Sequence, residues 1–266
     1  MKIGQLLGVG NTASVYEWGK SEVIKIFHDF KSAMYEVTKE AQNAKMINKL
    51  NVRAPRFSKI MEYEGKTCLI YEKVEGPTML NYIEPTRFSV SYNAKLLAQI
   101  HFEIHQVKID INSNLKTELS KSITNTEVIT ESERKIVLRI LETLPEGKVL
   151  CHYDFHPGNI ILSPNGPIII DWLNALVGHQ LADVTRTYMM INSNALPPNA
   201  PSWVTDRKYR DLFGKVYLDE YFNLSGIDRI PLDEWLVPIF ASRIGELKGK
   251  DQLEIINNLK SAIKEQ

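Results

Sequence analysis

The stretch that decides the fold is residues 150–171, which read LCHYDFHPGNIILSPNGPIIID. Two short runs of apolar, mostly β-branched residues, 160–162 and 168–170, flank an Asn-Gly pair, and this arrangement predicts a β-hairpin. A hairpin that turns at that pair brings its open ends together, and those ends carry Asn159 and Asp171. One amide oxygen and one carboxylate close together suit Mg²⁺, which keeps waters and phosphate oxygens as its other ligands. The sequence therefore predicts a magnesium site at the open end of the hairpin.

A polar loop precedes that hairpin. Asp154 stands five residues before Asn159, on a tight loop that holds a proline and a glycine. The pattern His-x-Asp-x-x-x-x-Asn, followed by an Asp after a hairpin, is the layout of a kinase catalytic centre. In that layout the first Asp accepts the proton of the substrate hydroxyl, while the Asn and the second Asp hold metal on the nucleotide phosphates. We therefore interpret Asp154 as a catalytic base and Asn159 with Asp171 as metal ligands.

The N-terminal segment carries a second pattern that is typical of phosphate binding. Residues 6–16 read LLGVGNTASVY, and a glycine-rich turn between two strands lets backbone N–H groups approach phosphate oxygens. The pattern departs from the full kinase form, because Ala13 stands where the third glycine would fall. On the next predicted strand Lys25 alternates with apolar neighbours, and a lysine that points inward needs an anionic partner. The residues of the turn that we expect to contact a nucleotide are Gly8, Gly10, Asn11 and Ser14.

A helix predicted over residues 32–50 offers two carboxylates as that partner. Glu36 and Glu40 are four residues apart, so they share one face of the helix and periodicity cannot separate them. We favour Glu40, because its sequence context runs on into the apolar stripe of Ala41, Ala44, Met46, Ile47 and Leu50. Both glutamates stay candidates at this point.

The chain resembles the aminoglycoside phosphotransferase and choline kinase-like family, which uses the protein-kinase-like fold on small molecules. The likeness rests on the glycine-rich turn, Lys25, Glu40, residues 69–76, the loop at 152–159, and Asp171 with Trp172. It implies an α+β, two-lobed protein-kinase-like fold. The N-lobe, residues 1–75, would be a small antiparallel sheet plus a helix that binds nucleotide. The C-lobe, residues 76–266, would be larger and mainly helical, and would carry the catalytic loop and the acceptor site.

The same resemblance implies roles for further residues. Glu72 and Val74 would lie in the hinge whose backbone pairs with the nucleotide base; from the residues alone, 67–74 is a strand that leads into a Gly-Pro boundary. Asp183 would tie the backbone of the catalytic loop from the start of a helix, a setting in which a carboxylate satisfies free N–H groups. His152 is expected to position the loop. His156 either touches phosphate or holds the loop by hydrogen bonds.

The spacing after the second metal ligand bears on the acceptor. Only eleven residues separate Asp171 from Asp183, whereas protein kinases place a long activation segment there to hold a peptide. The acceptor is therefore predicted to be a small molecule. Leu173 and Asn174 depart from the Asp-x-Glu/Asp form that the family shows after the metal site, which argues against antibiotic specificity.

The C-terminal third is predicted to be a loop at residues 192–206 followed by helices at 208–222, 232–247 and 251–264. In the family that this chain resembles, such segments wall the acceptor pocket, often with carboxylates that face cationic substrates. Each side chain here could equally be a solvated charge or a packing residue. The candidates are Asp219, Glu220, Asp233, Glu234 and Glu246, with Trp203 and Trp235 for stacking.

Composition excludes several classes of function. The 32 basic and 32 acidic residues give a formal net charge of zero, so we expect no nucleic-acid partner and no anionic membrane surface. No apolar run approaches the roughly 18 residues of a membrane span. Cys68 and Cys151 lie in apolar strand contexts and are predicted to be buried thiols, so a cytoplasmic location is expected. His101 and His105 sit at i and i+4 and could bind a metal, but an amphipathic helix around them favours packing.

These patterns together predict a small-molecule kinase. It would transfer the γ-phosphoryl group of ATP or GTP, with Mg²⁺, to a hydroxyl of an aminoglycoside-like, amino-alcohol or sugar acceptor. The alternative is a non-catalytic nucleotide-binding regulatory module of the same fold. Degenerate kinases usually lose a metal ligand or the phosphate lysine, and this chain keeps Lys25, Asp154, Asn159 and Asp171, which favours the enzyme.

Overall fold

The computed structural model describes residues 2–10, 12–28, 33–109, 114–196, 199–228 and 232–264. The chain divides into two compact units, of which the first comprises Met1–Tyr82 and Pro157–Ala175, and the second Ile83–His156 and Leu176–Gln266. This division differs from the predicted boundary after residue 75. In this division the hairpin and residues 76–82 fall in the first unit, where the Leu162 N–H donates to the Pro77 carbonyl and the Ile169 N–H donates to the Arg53 carbonyl. The assignment of functional lobes to 1–75 and 76–266 stays a prediction.

The first unit is built on a five-stranded antiparallel sheet. Its strand order is β1-β2-β3-β5-β4, and positive-φ glycines, Gly19 and Gly65, turn two of its hairpins. Alternating side chains fill one core on each face of the sheet, the first around Phe27 and Leu69 and the second around Ile24. The strands are β1 (Ile3–Val9), β2 (Ala13–Trp18), β3 (Glu22–Phe27), β4 (Phe57–Tyr63) and β5 (Lys66–Glu72).

One helix, α1 (Ala33–Ile47), packs on the sheet, within the range predicted as 32–50. Its buried face follows the spacing of three and four residues that an amphipathic helix requires. The face is apolar except at one position, Glu40, which is 2 % exposed. The other buried members of that face are Val37, Ala41, Ala44 and Ile47.

The predicted hairpin is confirmed as β7 (Ile160–Ser163) and β8 (Gly166–Ile169), which pair antiparallel around Gly166 at φ +107°. A short helix, α2 (Met79–Tyr82), and a 3-10 turn, Pro157–Asn159, pack beside it. A backbone hydrogen bond also joins the hairpin to the segment between β5 and α2, because Leu162 N–H donates to the Pro77 carbonyl at 2.9 Å.

Gly76 lets the chain pass close to this hairpin. Its φ is +139°, and a Cβ at this position would lie 2.3 Å from the Leu162 carbonyl oxygen. We expect Gly76→Ala to destabilise the fold by roughly 2 kcal/mol or more, since it adds both strain and a backbone clash. Urea unfolding checks this, with Gly245→Ala as the control, because a Cβ at Gly245 would meet nothing within 4 Å and its φ is not positive. Equal midpoints for the two variants would contradict the expectation.

The second unit is mainly helical. A two-stranded antiparallel pair, β6 (Val149–Cys151) with β9 (Leu176–Gly178), lies among its helices. The largest apolar core of the unit includes the side chains of Leu119, Leu181 and Trp235. The helices are α3 (Arg87–His105), α4 (Leu115–Asn125), α5 (Glu131–Thr143), α6 (Gln180–Asn192), α7 (Ser202–Thr205), α8 (Arg207–Ser225), α9 (Leu232–Arg243) and α10 (Gly249–Lys264).

Two details of the C-terminal third differ from the sequence prediction. The stretch 192–206, predicted as a loop, contains the four-residue helix α7, which forms because Trp203 and Val204 are buried. The helix predicted over 232–247 ends at Arg243 and continues only as a 3-10 turn, Ile244–Glu246. In both places the local sequence pattern did not determine where the helix begins or ends, and tertiary packing overrode it.

The predicted fold class, a small antiparallel sheet with a helix followed by a mainly helical part, is confirmed by these elements. Cys68 and Cys151 are both buried and unpaired, as predicted. Within the described ranges, no helix is long and apolar enough to cross a membrane.

Candidate active site

Lys25 lies at the centre of a buried ion cluster in the first unit. Strand β3 points it inward, and its Nζ donates to Glu40 Oε1 at 2.9 Å and Oε2 at 2.8 Å, and to Asp171 Oδ1 at 3.1 Å. Tyr71 O–H donates to Glu40 Oε1 at 2.9 Å. Glu36, the other candidate, lies one turn earlier on α1 and is half-buried.

Burial and charge act against each other in this cluster. Burial lowers the pKa of Lys25, but Asp171 and Glu40 outweigh it, so the net pKa lies above the ordinary value. Burial also raises the pKa of Glu40, and Lys25 opposes that shift. The lysine therefore stays charged. It is held in one place by two carboxylates, at a position where it could meet a phosphate group.

Asp171 has an unusual backbone. Its φ of 64° and ψ of 61° lie in the left-handed region, which costs a non-glycine residue of the order of 1–3 kcal/mol. Its side chain is 40 % exposed, and Lys25 Nζ contacts its Oδ1 atom. The Ile170 N–H donates to the Asn159 carbonyl at 2.9 Å, which brings the two ends of the hairpin together as predicted.

Asn43 was missed by the sequence reasoning. It lies on α1 three residues after Glu40, and its Nδ2 donates to the carbonyls of Trp172 at 3.0 Å and Leu173 at 2.9 Å. It also lies 3.2 Å from the Ala175 carbonyl oxygen. Helix α1 thus holds both Lys25 and the backbone that follows Asp171. The sequence signal that could have identified Asn43 is its position three residues after Glu40, on the same face of the helix.

The glycine-rich turn joins β1 to β2. Gly8 is exposed, a Cβ there would meet nothing within 4 Å, and the Gly10 N–H donates to the Ala13 carbonyl at 2.8 Å. Ser14 Oγ lies 3.0 Å from His28 Nε2. Asn11, also predicted to contact a nucleotide, lies outside the described residues.

The predicted hinge residues follow the fifth strand. Glu72 ends β5, and its N–H donates to the Arg56 carbonyl at 2.9 Å. Val74 lies two residues beyond the strand and is half-buried. Because the strand ends at Glu72, the predicted strand over 67–74 is two residues too long at this end.

Residues 152–156 of the predicted catalytic loop lie in the second unit, where Asp183 holds their backbone. The Asp183 carboxylate, at the start of α6, accepts from the backbone N–H of His152 at 2.7 Å and of Tyr153 at 2.9 Å. Asp154 N–H lies 3.3 Å from His152 Nδ1, and His156 Nε2 lies 3.9 Å from Asp154 Oδ2. Tyr153 has a φ of 61°, so the loop turns sharply just before Asp154.

Two histidines of α3 contact the carboxylate of Asp183. His101 Nε2 lies 3.2 Å and His105 Nε2 lies 3.4 Å from Asp183 Oδ2. Their Nδ1 atoms lie 2.7 Å and 2.6 Å from the hydroxyls of Tyr217 and Tyr221 on α8. If both imidazoles are neutral with the proton on Nε2, each tyrosine hydroxyl donates to an Nδ1 atom and His105 donates to Asp183. The His101 Nε2 contact with Asp183 lacks hydrogen-bond geometry.

That arrangement explains the spacing of the two histidines. Their nitrogens and the Asp183 carboxylate lie within 4.8 Å of one another, close enough for a metal. The tyrosine hydroxyls contact both Nδ1 atoms and backbone N–H groups donate to both Asp183 oxygens, which favours the packing interpretation. Burial alone would raise the pKa of Asp183, but the histidine contacts outweigh it and keep the carboxylate ionised.

The pH dependence of stability is expected to show this buried histidine. Burial lowers the pKa of His101 from 6.5 to about 4, so the imidazole is neutral in the fold but takes a proton in the unfolded chain. Stability from this group is complete above pH 6.5 and falls as the pH drops from 6.5 to 4, by about 3 kcal/mol in total. Urea unfolding of wild type and His101→Gln between those pH values tests it. Parallel pH slopes for the two proteins would contradict the assignment.

The acceptor-site candidates lie in several environments. Trp203 and Trp235 are buried, packed against Phe213 and His179, so both are core residues and neither presents a stacking face on the surface. Asp219 pairs with Lys215, and Glu220 lies 3.7 Å from Lys95 Nζ. The exposed pair at the start of α9 is Asp233 and Glu234.

Glu246 is the candidate with a buried cationic partner. It accepts from Arg186 Nη1 at 2.9 Å and Nη2 at 3.0 Å, a bidentate pair. Arg186 lies on α6 within the same helix as Asp183, and its guanidinium carbon lies 4.5 Å from the centre of the Tyr153 ring. Sequence reasoning missed Arg186, because nothing in the local pattern distinguishes it from a solvated arginine.

Solved structures share this fold at low sequence identity, which shows the fold alone. The ternary complex of APH(2")-IIa with streptomycin and ATP has a TM-score of 0.61 at 16% identity, covering 98% of this chain and 91% of that one. A thermostable mutant of APH(4)-Ia in complex with AMP-PNP and hygromycin B has a TM-score of 0.65 at 12% identity, covering 98% and 92%. The amicoumacin kinase hAmiN, in complex with AMP-PNP, Ca²⁺ and Ami, has a TM-score of 0.60 at 14% identity, covering 99% and 88%.

Sequence comparison gives the family. No curated protein matches the chain. The family model described as the phosphotransferase enzyme family, APH, matches residues 4–222, a range that contains Lys25, Asp154, Asn159 and Asp171. This match covers most of the chain, and the chain belongs to the phosphotransferase enzyme family.

Proposed function

We propose that the protein transfers the γ-phosphoryl group of ATP or GTP to a hydroxyl group of a small molecule. The observation that carries the proposal is the contact of Lys25 with both Glu40 and Asp171 in one buried cluster. Such a cluster combines a cation suited to binding phosphate with a carboxylate whose side chain is partly exposed. Membership in a phosphotransferase family agrees with it.

The first unit supplies the nucleotide contacts in this proposal. Gly8, Gly10 and Ser14 lie at the turn that would cover the phosphates. Backbone N–H groups of this turn are the expected donors, apart from that of Gly10, which donates to the Ala13 carbonyl. Lys25 would hold the α- and β-phosphates, and Glu40 would keep the lysine in position. The backbone that follows Glu72 up to Val74 would pair with the base. Three of the similar solved structures are described as ATP or AMP-PNP complexes, which supports a nucleotide donor.

The residues at the open end of the hairpin fit Mg²⁺. Asn159 and Asp171 offer an amide oxygen and a carboxylate, the hard oxygen ligands that this cation prefers, and the Asp171 side chain is partly open. We propose that these two residues hold the ion. When bound, Mg²⁺ would neutralise charge on the phosphate oxygens.

Asp154 is the proposed catalytic base. Its carboxylate would accept the proton of the acceptor hydroxyl as that oxygen bonds to the γ-phosphorus, while the bond to the bridging oxygen of the leaving diphosphate breaks. His152, Asp183 and the histidines behind it would hold the loop backbone that carries Asp154. His156, which lies 3.9 Å from Asp154, would orient that carboxylate. In this proposal the residues of the chain accelerate phosphoryl transfer mainly by holding the two reactants in position, and positioning supplies a large share of enzymatic rate enhancements.

The acceptor is proposed to be a small hydroxylated compound. Eleven residues separate Asp171 from Asp183, too few for a peptide platform. Similar solved structures carry streptomycin, hygromycin B or amicoumacin, so amino-sugar and amino-alcohol acceptors are included in the proposal. Of the predicted acceptor residues, Glu246 is engaged by a buried arginine, and Trp203 and Trp235 belong to the core.

A phosphoryl-transfer screen tests the proposal. The full chain is incubated with γ-labelled ATP or GTP, Mg²⁺ and a library of metabolites and antibiotics, and the labelled products are separated. We expect transfer to at least one compound, and none with Lys25→Ala, which lacks the phosphate-binding cation. Nucleotide binding without transfer to any compound would favour the non-catalytic module instead, whereas slow hydrolysis alone would not separate the two. Lys49→Ala, an exposed lysine just after α1, is the matched control.

A further inference from the structure

A second arginine, mostly but not fully buried, lies beside Glu246 in the second unit. Arg243 ends α9, and its side chain is 12% exposed. Among the described residues, its Nε and Nη1 atoms are buried without a hydrogen-bond partner. Glu246 Oε2 lies 3.6 Å from Nε, which is too long for a hydrogen bond. Buried donors left unpaired are costly, so this geometry calls for an acceptor from outside the chain.

The contrast with Arg186 shows that Glu246 is already engaged. Arg186 forms two hydrogen bonds to Glu246, so one carboxylate faces two guanidinium groups and balances only one of them. Burial would lower the pKa of Arg186, but Glu246 outweighs it and the pKa is raised. For Arg243, burial and the neighbouring Arg186 dominate, and the pKa is lowered. Asp154 is close enough to raise the pKa of both arginines.

Arg243 also lines a cavity of the same unit. The cavity measures about 220 Å³, and apolar side chains such as Leu236 and Phe240 form much of its wall. This volume is below the range of roughly 300–1,000 Å³ that is usual for drug-sized ligands, so it suits a small acceptor better than a multi-ring aminoglycoside. The cavity therefore offers a largely apolar wall with one arginine, whose Nε and Nη1 atoms have no hydrogen-bond partner among the described residues.

Two carboxylates also line this cavity, and each has a structural explanation. Asp251 lies in the first turn of α10, where a negative charge stabilises the helix. Glu254 Oε1 accepts from Asn194 Nδ2 at 2.7 Å. Neither group pairs with Arg243 in a hydrogen bond within the described ranges. The arginine is thus the charged group of the wall that most needs a ligand.

We propose that this cavity binds the phosphoryl acceptor and that Arg243 binds a carboxylate group of it, so that the acceptor is a small hydroxy acid. The identification of the ligand as the phosphoryl acceptor rests on the proposed function. The anion site does not depend on that function, because it is argued from the position and burial of Arg243. The Nε and Nη1 donors of Arg243 would pair with the two oxygens of such a carboxylate. The apolar wall would pack against the carbon skeleton, while the hydroxyl of the same molecule would receive the phosphoryl group.

Binding without nucleotide tests the site separately from the chemistry. The probes are glycolate, lactate, hydroxybutyrate and mandelate, each beside its methyl ester, titrated calorimetrically into the full chain. At least one acid is expected to bind about tenfold or more tightly than its ester, because the charge-assisted hydrogen bonds are lost in the ester. Arg243→Gln should remove that preference, Arg243→Lys should restore part of it, and Lys250→Gln, an exposed charge on α10, should leave it unchanged.

The outcomes separate the two proposals. No acid preference in the wild-type chain, or tighter binding of methyl phosphate than of every carboxylate, overturns the hydroxy-acid inference, and this comparison needs no variant to fold. A second outcome is preference for an acid over its ester without phosphoryl transfer from ATP or GTP to any probe or library compound. This result would support the anion site and overturn the proposed function. Transfer to neutral or cationic compounds, unaffected by Arg243→Gln, would leave the function and overturn the inference.

Discussion

Replacing Asp154 by asparagine is expected to lower the rate of phosphoryl transfer by about 10²–10⁴-fold while nucleotide affinity stays within a few-fold of wild type. The amide keeps the size of the side chain but cannot accept the hydroxyl proton. The loop should survive, because Asp183 holds its backbone through His152 and Tyr153 and does not depend on the Asp154 carboxylate. Steady-state turnover with the best acceptor of the screen, together with calorimetric nucleotide binding, measures both effects.

The control for that variant is Asp211→Asn, an exposed carboxylate on α8 of the same unit. It removes an equal charge away from the loop and should leave turnover within about twofold of wild type. Unchanged turnover in Asp154→Asn would remove the assigned base. Loss of nucleotide affinity equal to the loss of rate would show instead that Asp154 acts in binding.

Replacing Asp171 by asparagine is the second large change. We expect turnover to fall by roughly 10²–10³-fold, because the carboxylate proposed to hold the metal loses its charge. Mg²⁺ should then no longer strengthen ATP binding. Lys25 keeps Glu40 as its partner, so the first unit should stay folded. Calorimetric titration of ATP with and without Mg²⁺ tests this.

Glu62→Gln, an exposed site on β4, serves as the matched control for Asp171→Asn. It should retain the full effect of Mg²⁺ on ATP affinity. If Asp171→Asn retains that effect as well, the ion is held elsewhere. If both variants lose the effect of Mg²⁺ on ATP affinity, the loss follows from the changed net charge of the chain and does not support a metal site at Asp171.

Local sequence patterns were sufficient for the parts of the site that lie on regular elements. The Asn-Gly pair between two apolar runs specified the hairpin, and the hairpin register then brought the Asn159 and Asp171 backbones together. Lys25 was recognised because a charged residue on an apolar strand needs a partner. Its partner was left open between two glutamates, since only the rotation of α1 against the sheet places Glu40 in the core.

Residues that act through tertiary contacts escaped the sequence reasoning. Asn43, Arg186 and Arg243 are ordinary polar residues on helices, and their importance appears only when a carbonyl, a carboxylate or a cavity is packed against them. Trp203 and Trp235 show the reverse case, because aromatic side chains that could stack on a ligand were used to fill the core. The sequence alone does not report which neighbours a helix face will meet.

The fate of the γ-phosphoryl label is the measurement that tests the central claim most directly. ATP labelled in its γ-phosphoryl group is incubated with the wild-type chain, Mg²⁺ and the acceptor that binds best, and the label is followed by phosphorus NMR. We predict that the label appears as a phosphate ester on the acceptor hydroxyl, and that Asp154→Asn abolishes this signal. Label found only in inorganic phosphate, or an ester formed at the wild-type rate by Asp154→Asn, would contradict it.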